Sequence, residues 1–293
     1  MSNVSPLPVV RLLHLQEAYA QAKAEKRKKS TLGFFLLLLL IIISAWLTEI
    51  NAFKFFSNIG NFTSYIDRLF NLDSGARVYT NPMEWFWGWK TWLAQMAETL
   101  LMAYMGTLLG ALGALPMCFL ASKNITAQRW LVFSARRFLE VARTVPELVF
   151  ALIFIIAFSL GPLPGVLALA IHTMGSLGKL FSEVVENIEM KPVEGVLSTG
   201  GNWLDKVRFA ALPQVLSNFV SYTLLRFEVN VRSAAVLGFV GAGGIGQTLL
   251  EAIRKFYYAD VSAILLLIIV TVMLIDQLTQ RIRTRILHGD TSL

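Results

Sequence analysis

Residues 192–213 read PVEGVLSTGGNWLDKVRFAALP. Pro192 suits a helix start, and Gly200-Gly201 ends a short helix where glycine permits a left-handed turn. A second short helix is predicted from Trp203 through Phe209, and Pro213 fits the first turn of a longer helix, where its missing N–H costs nothing. A plain connecting loop is the alternative. Two glycines and two prolines at the joints favour a defined helix–turn–helix.

Outward from this stretch the chain becomes apolar. Of 293 residues 55% are hydrophobic and 15% charged, against about 25% charge in a soluble domain. This is the composition of an integral membrane protein, and the single cysteine, Cys118, excludes a disulfide scaffold. A crossing needs about 20 mainly apolar residues. Ser30–Thr48 is the first, preceded by Lys23, Lys26, Arg27, Lys28 and Lys29, with no Ala-x-Ala cleavage site after it. Thr99–Ser122 is the second. Leu148–Gly178 is too long for one span and is broken at Gly161-Pro162-Leu163-Pro164-Gly165, which predicts a hairpin. Its arms extend back past Pro146 towards Phe138 and on past Lys179 towards Asn187. Pro213–Asn230 and Val261–Leu278 complete six transmembrane helices in an all-α fold.

Charge sets the orientation. With the N-terminus in the cytoplasm, 17 of the 26 basic residues fall in cytoplasmic segments and six outside, as the positive-inside rule requires. Both termini are therefore expected in the cytoplasm. The net charge of +7 belongs to the lipid surface, and no nucleic-acid partner is implied. Segment boundaries follow: 1–30 a basic cytoplasmic segment, 31–91 the first helix and outer loop, 92–280 a core containing the cytoplasmic loop 190–213, and 281–293 a cytoplasmic tail. Residues 9–29 read equally as an amphipathic helix on the leaflet or a tail. Trp85, Trp87, Trp89 and Trp92 read as an interfacial belt.

The loop 192–213 resembles the EAA loop of ABC-importer permeases: Glu194, Gly200, Leu212 and Pro213 stand at the family's spacing. Gly195 and Val196 replace the usual alanines, and Ala210 the usual isoleucine. Pro192-Val193-Glu194-Gly195, Leu212-Pro213-Gln214-Val215, Arg226-Phe227-Glu228, Asn230-Val231-Arg232-Ser233-Ala234 and Val240-Gly241-Ala242-Gly243-Gly244-Ile245-Gly246 look similar to phosphonate importer permeases. The resemblance covers roughly residues 92–285 and implies a type I importer permease in a bacterial plasma membrane. It implies that Glu194, Gly195, Ser198, Thr199, Gly200, Leu212 and Pro213 form a coupling helix seated on a separate ATPase. It further implies two ATPase subunits, a second permease copy, and an extracytoplasmic binding protein that delivers phosphonate. Phosphite, phosphate or another small anion is the alternative cargo, and an ATP-independent secondary transporter the alternative class.

Charges within the spans are costly and normally face a partner or a cavity. Glu228–Arg232 and Lys179–Glu183, each four apart, are expected to neutralise each other. Arg226 has no such acid; it either pairs with another helix or lends positive potential to an anion pathway. Arg226, Asn230, Arg232, Gly243 and Gly244 are the candidate pathway residues. His172 reads as a satisfied core histidine. Glu140 and Glu147 beside Arg143 read as helix pairing, with Pro146 a candidate hinge. Gly241–Gly246 matches G-x-G-x-x-G, but no strand precedes it and no acid follows at the dinucleotide spacing; the glycines serve backbone turning and packing, with a small helix over Gln247–Lys255. The sequence holds no P-loop, no His-Glu-x-x-His and no catalytic triad. No catalysis, metal or cofactor is expected of this chain, ATP being bound by the partner subunit.

Overall fold

The computed structural model describes residues 9–48, 52–72 and 74–289. Among these the chain is helical, apart from an isolated antiparallel bridge between Asn71 and Arg77. The helices are α1 (Val9–Leu47), α2 (Ala52–Ser57), α3 (Ile59–Leu69), α4 (Pro82–Trp85), α5 (Trp89–Ala121), α6 (Arg129–Thr144), α7 (Glu147–Phe158), α8 (Pro162–Glu186), α9 (Met190–Ser198), α10 (Trp203–Asp205), α11 (Leu212–Leu237), α12 (Gly244–Arg254) and α13 (Tyr258–Gly289). The chain divides into two compact units, one ending at Tyr65 and the other beginning at Ile66.

In the first unit, α1 is one continuous helix of 39 residues. Residues 9–29 are thus neither a tail nor a separate surface helix. Alanine, glutamate, glutamine and lysine, all strong helix formers, carry the winding unbroken into the apolar run.

In the second unit, α5, α8 and α13 are each long and apolar enough to cross a membrane, as is Glu17–Leu47 in the first. Two further crossings are broken: α6 and α7 meet at 86°, and the helix ending at Val240 meets α12 at 47°. Counting each broken pair once gives the expected six. The third span is therefore more sharply interrupted than a proline kink. At about 1.5 Å per residue, the 12 residues of α7 reach only about 18 Å, so α6 must supply the rest. The hairpin turn is also shorter than expected. Ser159 (φ 71°) and Gly161 (φ 144°) make it, while Pro162 already occupies the first turn of α8 and Gly165 is buried there.

The close α5–α8 pair forms the spine of this unit. A Cβ on Gly106 would lie 2.6 Å from Cβ of Leu169, and one on Gly110 2.6 Å from Cβ of Thr173. Gly106-x3-Gly110 is the small-residue spacing that lets membrane helices approach, a signal present in the sequence. Towards the cytoplasmic end, Phe181 stacks on Phe219 at 3.9 Å among Phe119, Val185, Val193 and Val215. Towards the outer end, Trp92 and Met96 pack with Ile245, Leu249 and Ile264.

The tryptophans divide, with Trp87 and Trp89 exposed as the belt reading expects. Trp92 is buried. The Trp85 indole donates to Ser262 Oγ (2.9 Å) and that of Trp87 to Asp260 Oδ1 (2.8 Å). These rings fasten the outer segment to the start of α13, because a buried or docked indole N–H needs an acceptor. In the same segment Arg77 bonds Asp67 at 2.7 Å and holds its carboxyl below the usual carboxylate range.

A carboxyl lowered on folding stabilises at neutral pH, and its contribution fades as pH falls through the folded value. The protection factor of the Val78 amide, which bonds the Phe70 carbonyl, is expected to hold steady down to the ordinary carboxylate range and fall below it, once exchange is corrected for its intrinsic pH dependence; Asp67→Asn should abolish that step. Glycine geometry makes a second contrast. A Cβ on Gly246 would sit 1.8 Å from the Ala235 carbonyl oxygen, whereas one on Gly195 meets open space. Gly246→Ala should sharply reduce folded protein, and Gly195→Ala should raise stability by about 0.5–1 kcal/mol, both read by thermal unfolding in detergent.

Candidate functional site

The loop between α8 and α11 is built as a rigid projection. α9 begins at Met190, two residues before the expected start. Pro192 is accommodated at the third position, where its N–H would have lacked an intrahelical partner anyway. The Glu189 N–H donates to Gln214 Oε1 (3.0 Å), and Gln214 Nε2 donates to the carbonyls of Glu189 (3.3 Å) and Ala210 (2.8 Å). One side chain thereby clasps the loop's entrance to its exit. Val193 anchors α9 in the core beside Ala210, Ala211 and Val215. Gly200 adopts φ +83°, and Asn202 and Asp205 form a capping box (3.1 and 2.9 Å) that starts α10.

The second helix of the loop does not stop at Phe209. Its winding widens to a π-helix over Lys206–Ala211 and runs directly into α11, so Pro213 lies within a continuous helix. A proline clashes with the carbonyl four residues before it, and the π-turn relieves that clash without a break.

Glu194, Gly195, Ser198, Thr199, Gly200 and Pro213 are exposed and Leu212 half-buried. Ser198 Oγ donates to the Glu194 carbonyl and Thr199 Oγ1 to that of Val196, so both hydroxyls are used within the loop. Sequence reasoning missed Gln214 and the Asn202–Asp205 box. The box has a legible Asn-x-x-Asp signature; Gln214 has none.

A second constellation lies where α6 breaks from α7. Pro146 and the turn strip the Arg143 carbonyl of its helical donor, and His172 Nε2 lies 3.1 Å from that oxygen. His172 therefore donates from Nε2, which leaves Nδ1 to accept from an Arg226 guanidinium N–H. Glu147 Oε2 is 3.7 Å from the same Nδ1, and Glu147 Oε1 accepts from Ser233 Oγ at 2.7 Å. Arg226 thus meets an acid on another helix through His172, while its buried Nε has no partner among the described residues. His172 is satisfied, as expected, but at a helix break rather than in plain apolar core. Glu140 pairs with Arg137 (2.6 Å), and Glu147 joins this cluster, so neither pairs with Arg143.

Glu228–Arg232 (2.6 Å) and Lys179–Glu183 (3.1 Å) form the expected pairs, and the Arg232 side chain is 51% exposed. Asn230 is fully buried and donates to Thr107 Oγ1 and Thr173 Oγ1, both at 2.8 Å. It clamps α11 to α5 and α8. Gly244 is buried too, where a Cβ would lie 2.4 Å from Thr99 Oγ1; that oxygen accepts the Ile245 N–H at 2.9 Å. Gly243 (φ +83°) is half-buried beside Glu98. Positive φ at Gly241, Gly243 and Gly244 turns the backbone into α12, which starts three residues before the expected Gln247.

The described residues thus form a helical membrane core that carries a braced, exposed inter-span loop. The chain's family follows from comparison. Residues 106–288 match the family described as "Binding-protein-dependent transport system inner membrane component", and this chain belongs to it. It is an inner-membrane permease subunit of an ABC importer. The chain is 41% identical to the phosphite transport system permease protein PtxC of Stutzerimonas stutzeri over 192 residues, covering 65% of this chain and 70% of that one. Over 117 residues, 40% of this chain, it is 58% identical to a protein of Escherichia coli K12 named as a cryptic phosphonate transport permease, PhnE2, 96% of which is covered. An inward-facing structure of the MetNI methionine ABC transporter superposes with a TM-score of 0.60 at 23% identity, over 70% of this chain and 98% of that one. That likeness supports the type I permease fold.

The cluster at the break makes a testable demand. Arg226→Met leaves Glu147 without its nearby cation and should destabilise by about 1–3 kcal/mol. Adding Glu147→Gln should recover part of that loss, so that a double-mutant cycle in detergent reports coupling between the two. Strict additivity would show that they act independently.

Proposed function

We propose that this permease moves phosphonate, or a related phosphorus oxyanion such as phosphite or phosphate, into the cell by alternating access. The observation that carries the mechanism is the loop 190–213. Its motif residues Glu194, Gly195, Ser198, Thr199 and Gly200 face outward, while Val193, Ala210 and Ala211 bind it to the core. A projection so held can transmit a push from a partner without collapsing. Two copies of the chain pack as a homodimer, each loop seating on one of two ATPase subunits. An extracytoplasmic binding protein delivers the anion. The chain performs no catalysis and carries no metal or cofactor; ATP is bound by its partner. Relatives named for phosphite and phosphonate transport support the substrate class. Arg232, half exposed, and Arg226, whose charge is incompletely satisfied, are the cations offered to the anion's path; Gly243 gives the outer turn its flexibility.

The experiment is ATPase activity of the whole complex in lipid with its binding protein. Phosphonate should stimulate it and Gly200→Trp should remove the stimulation at normal expression. Gly200→Asn, which tolerates positive φ, should retain most of it. No stimulation by any phosphorus oxyanion would remove the substrate class, and normal uptake with Gly200→Trp would remove the coupling role.

A further inference from the structure

The broken third span leaves one face of α6 uncovered by the rest of its unit. Where α5 passes into α6 lies an open cavity of about 500 Å³, lined by Lys123, Thr126, Arg129, Phe133, Arg136 and Arg137 among others, none of them acidic. Two of its four cations are engaged. Arg136 pairs with Glu186 and donates to the Ala121 carbonyl at 2.8 Å, and Arg137 pairs with Glu140. The Lys123 ammonium and the Arg129 guanidinium have no acidic partner among the described residues. Gln128, the N-cap of α6, makes no side-chain capping bond, so free first-turn amides add to the positive potential beside Arg129.

The depth of this cavity is set by its neighbours. Lys123 follows the end of α5, and its N–H donates to Glu186, the last residue of α8, at 2.8 Å. Both are the cytoplasmic ends of spans, the level of phospholipid headgroups. From there α6 climbs. The Arg143 carbonyl at its far end meets His172, about 21 Å back along α8 from Glu186 at 1.5 Å per residue. On the climbing face Trp130, Phe133, Phe138 and Val141 are 70, 63, 49 and 63% exposed, while Val132, Ala135, Leu139 and Ala142 on the opposite face are buried.

We propose that this cavity and strip form a binding site for one anionic phospholipid of the cytoplasmic leaflet. The phosphate lies between Lys123 and Arg129, and an acyl chain follows Trp130, Phe133 and Val141 towards the membrane centre. The apolar strip decides against the other anions. A free phosphate would use only the cationic end, and an acidic protein surface would not follow an apolar strip that climbs from the headgroup level into the hydrocarbon. A lipid satisfies both halves at once, and Trp130, with one polar edge, suits the depth at which the two meet.

The test is native mass spectrometry of the full chain in detergent with equimolar phosphatidylglycerol and phosphatidylcholine of matched chains. Phosphatidylglycerol should be retained preferentially. Lys123→Gln with Arg129→Gln should weaken that retention roughly thirtyfold, from about one interaction's worth per basic residue at the surface. Trp130→Ser with Phe133→Ser should weaken it without changing the charge, and Lys255→Gln, at the outer end, should leave it unchanged. All five positions are exposed, so these variants are expected to fold. Excess inorganic phosphate should not displace the lipid. Equal retention of both lipids, or undiminished phosphatidylglycerol in the Lys123/Arg129 variant, overturns the proposal. Displacement by inorganic phosphate would make it a free-anion site, and expulsion of the lipid on assembly with the ATPase a protein contact; either overturns it as well.

Discussion

A hydrocarbon core offers no partner to a backbone amide or carbonyl, so any helix broken inside it must find donors and acceptors elsewhere in the protein. Two candidate spans are broken here, the third along its apolar length and the fifth at its outer end after α11, and much of the arrangement follows from closing them. At the first break the imidazole of His172 takes the Arg143 carbonyl. At the second, the Gly241 and Ala242 amides return to the carbonyls of Gly238 and Leu237, the Gly161 amide reaches the Gly241 carbonyl, and the Ile245 amide finds Thr99 Oγ1. Every outside partner comes from α5, from α8 or from the turn leading into α8. Those two helices, brought together by Gly106 and Gly110, are the fixed frame on which the broken spans are hung.

Polar side chains do a related task between spans. Asn230 ties α11 to both members of the frame, and Arg226, His172, Glu147 and Ser233 tie α11 to α7 and α8 around the first break. In water such groups would bind solvent; in lipid their alternatives are poorer, which makes them useful glue. The same α11 continues without interruption through its π-turn into the exposed cytoplasmic loop. One helix therefore joins the exposed loop to the polar cluster beside the sharpest bend of the chain. Had Pro213 broken it, that continuity would be lost.

The aromatic residues show how composition can mislead about location. Four tryptophans in eight positions look like anchors in a headgroup layer. Trp87 and Trp89 are exposed in keeping with that, but Trp92 is core, and Trp85 and Trp87 also lend their N–H groups to the start of α13. Trp130, isolated in the sequence and therefore passed over, stands exposed beside a cationic cavity.

The amino-acid order alone determined the all-helical membrane class, the places of the six crossings, their orientation through lysine and arginine, and the cytoplasmic loop. These depend on hydropathy, charge and the local conformational limits of glycine and proline, all of which act over a few neighbouring residues. Glu228–Arg232 and Lys179–Glu183 were legible for the same reason, since four residues make one helical turn. The 86° bend, the role of His172, the burial of Asn230 and Gly244 and the clasp made by Gln214 were decided only by tertiary structure. Each depends on which side chain another helix brings alongside. Helix rotation and crossing are set by the summed packing of several spans, and no single span's residue pattern contains them.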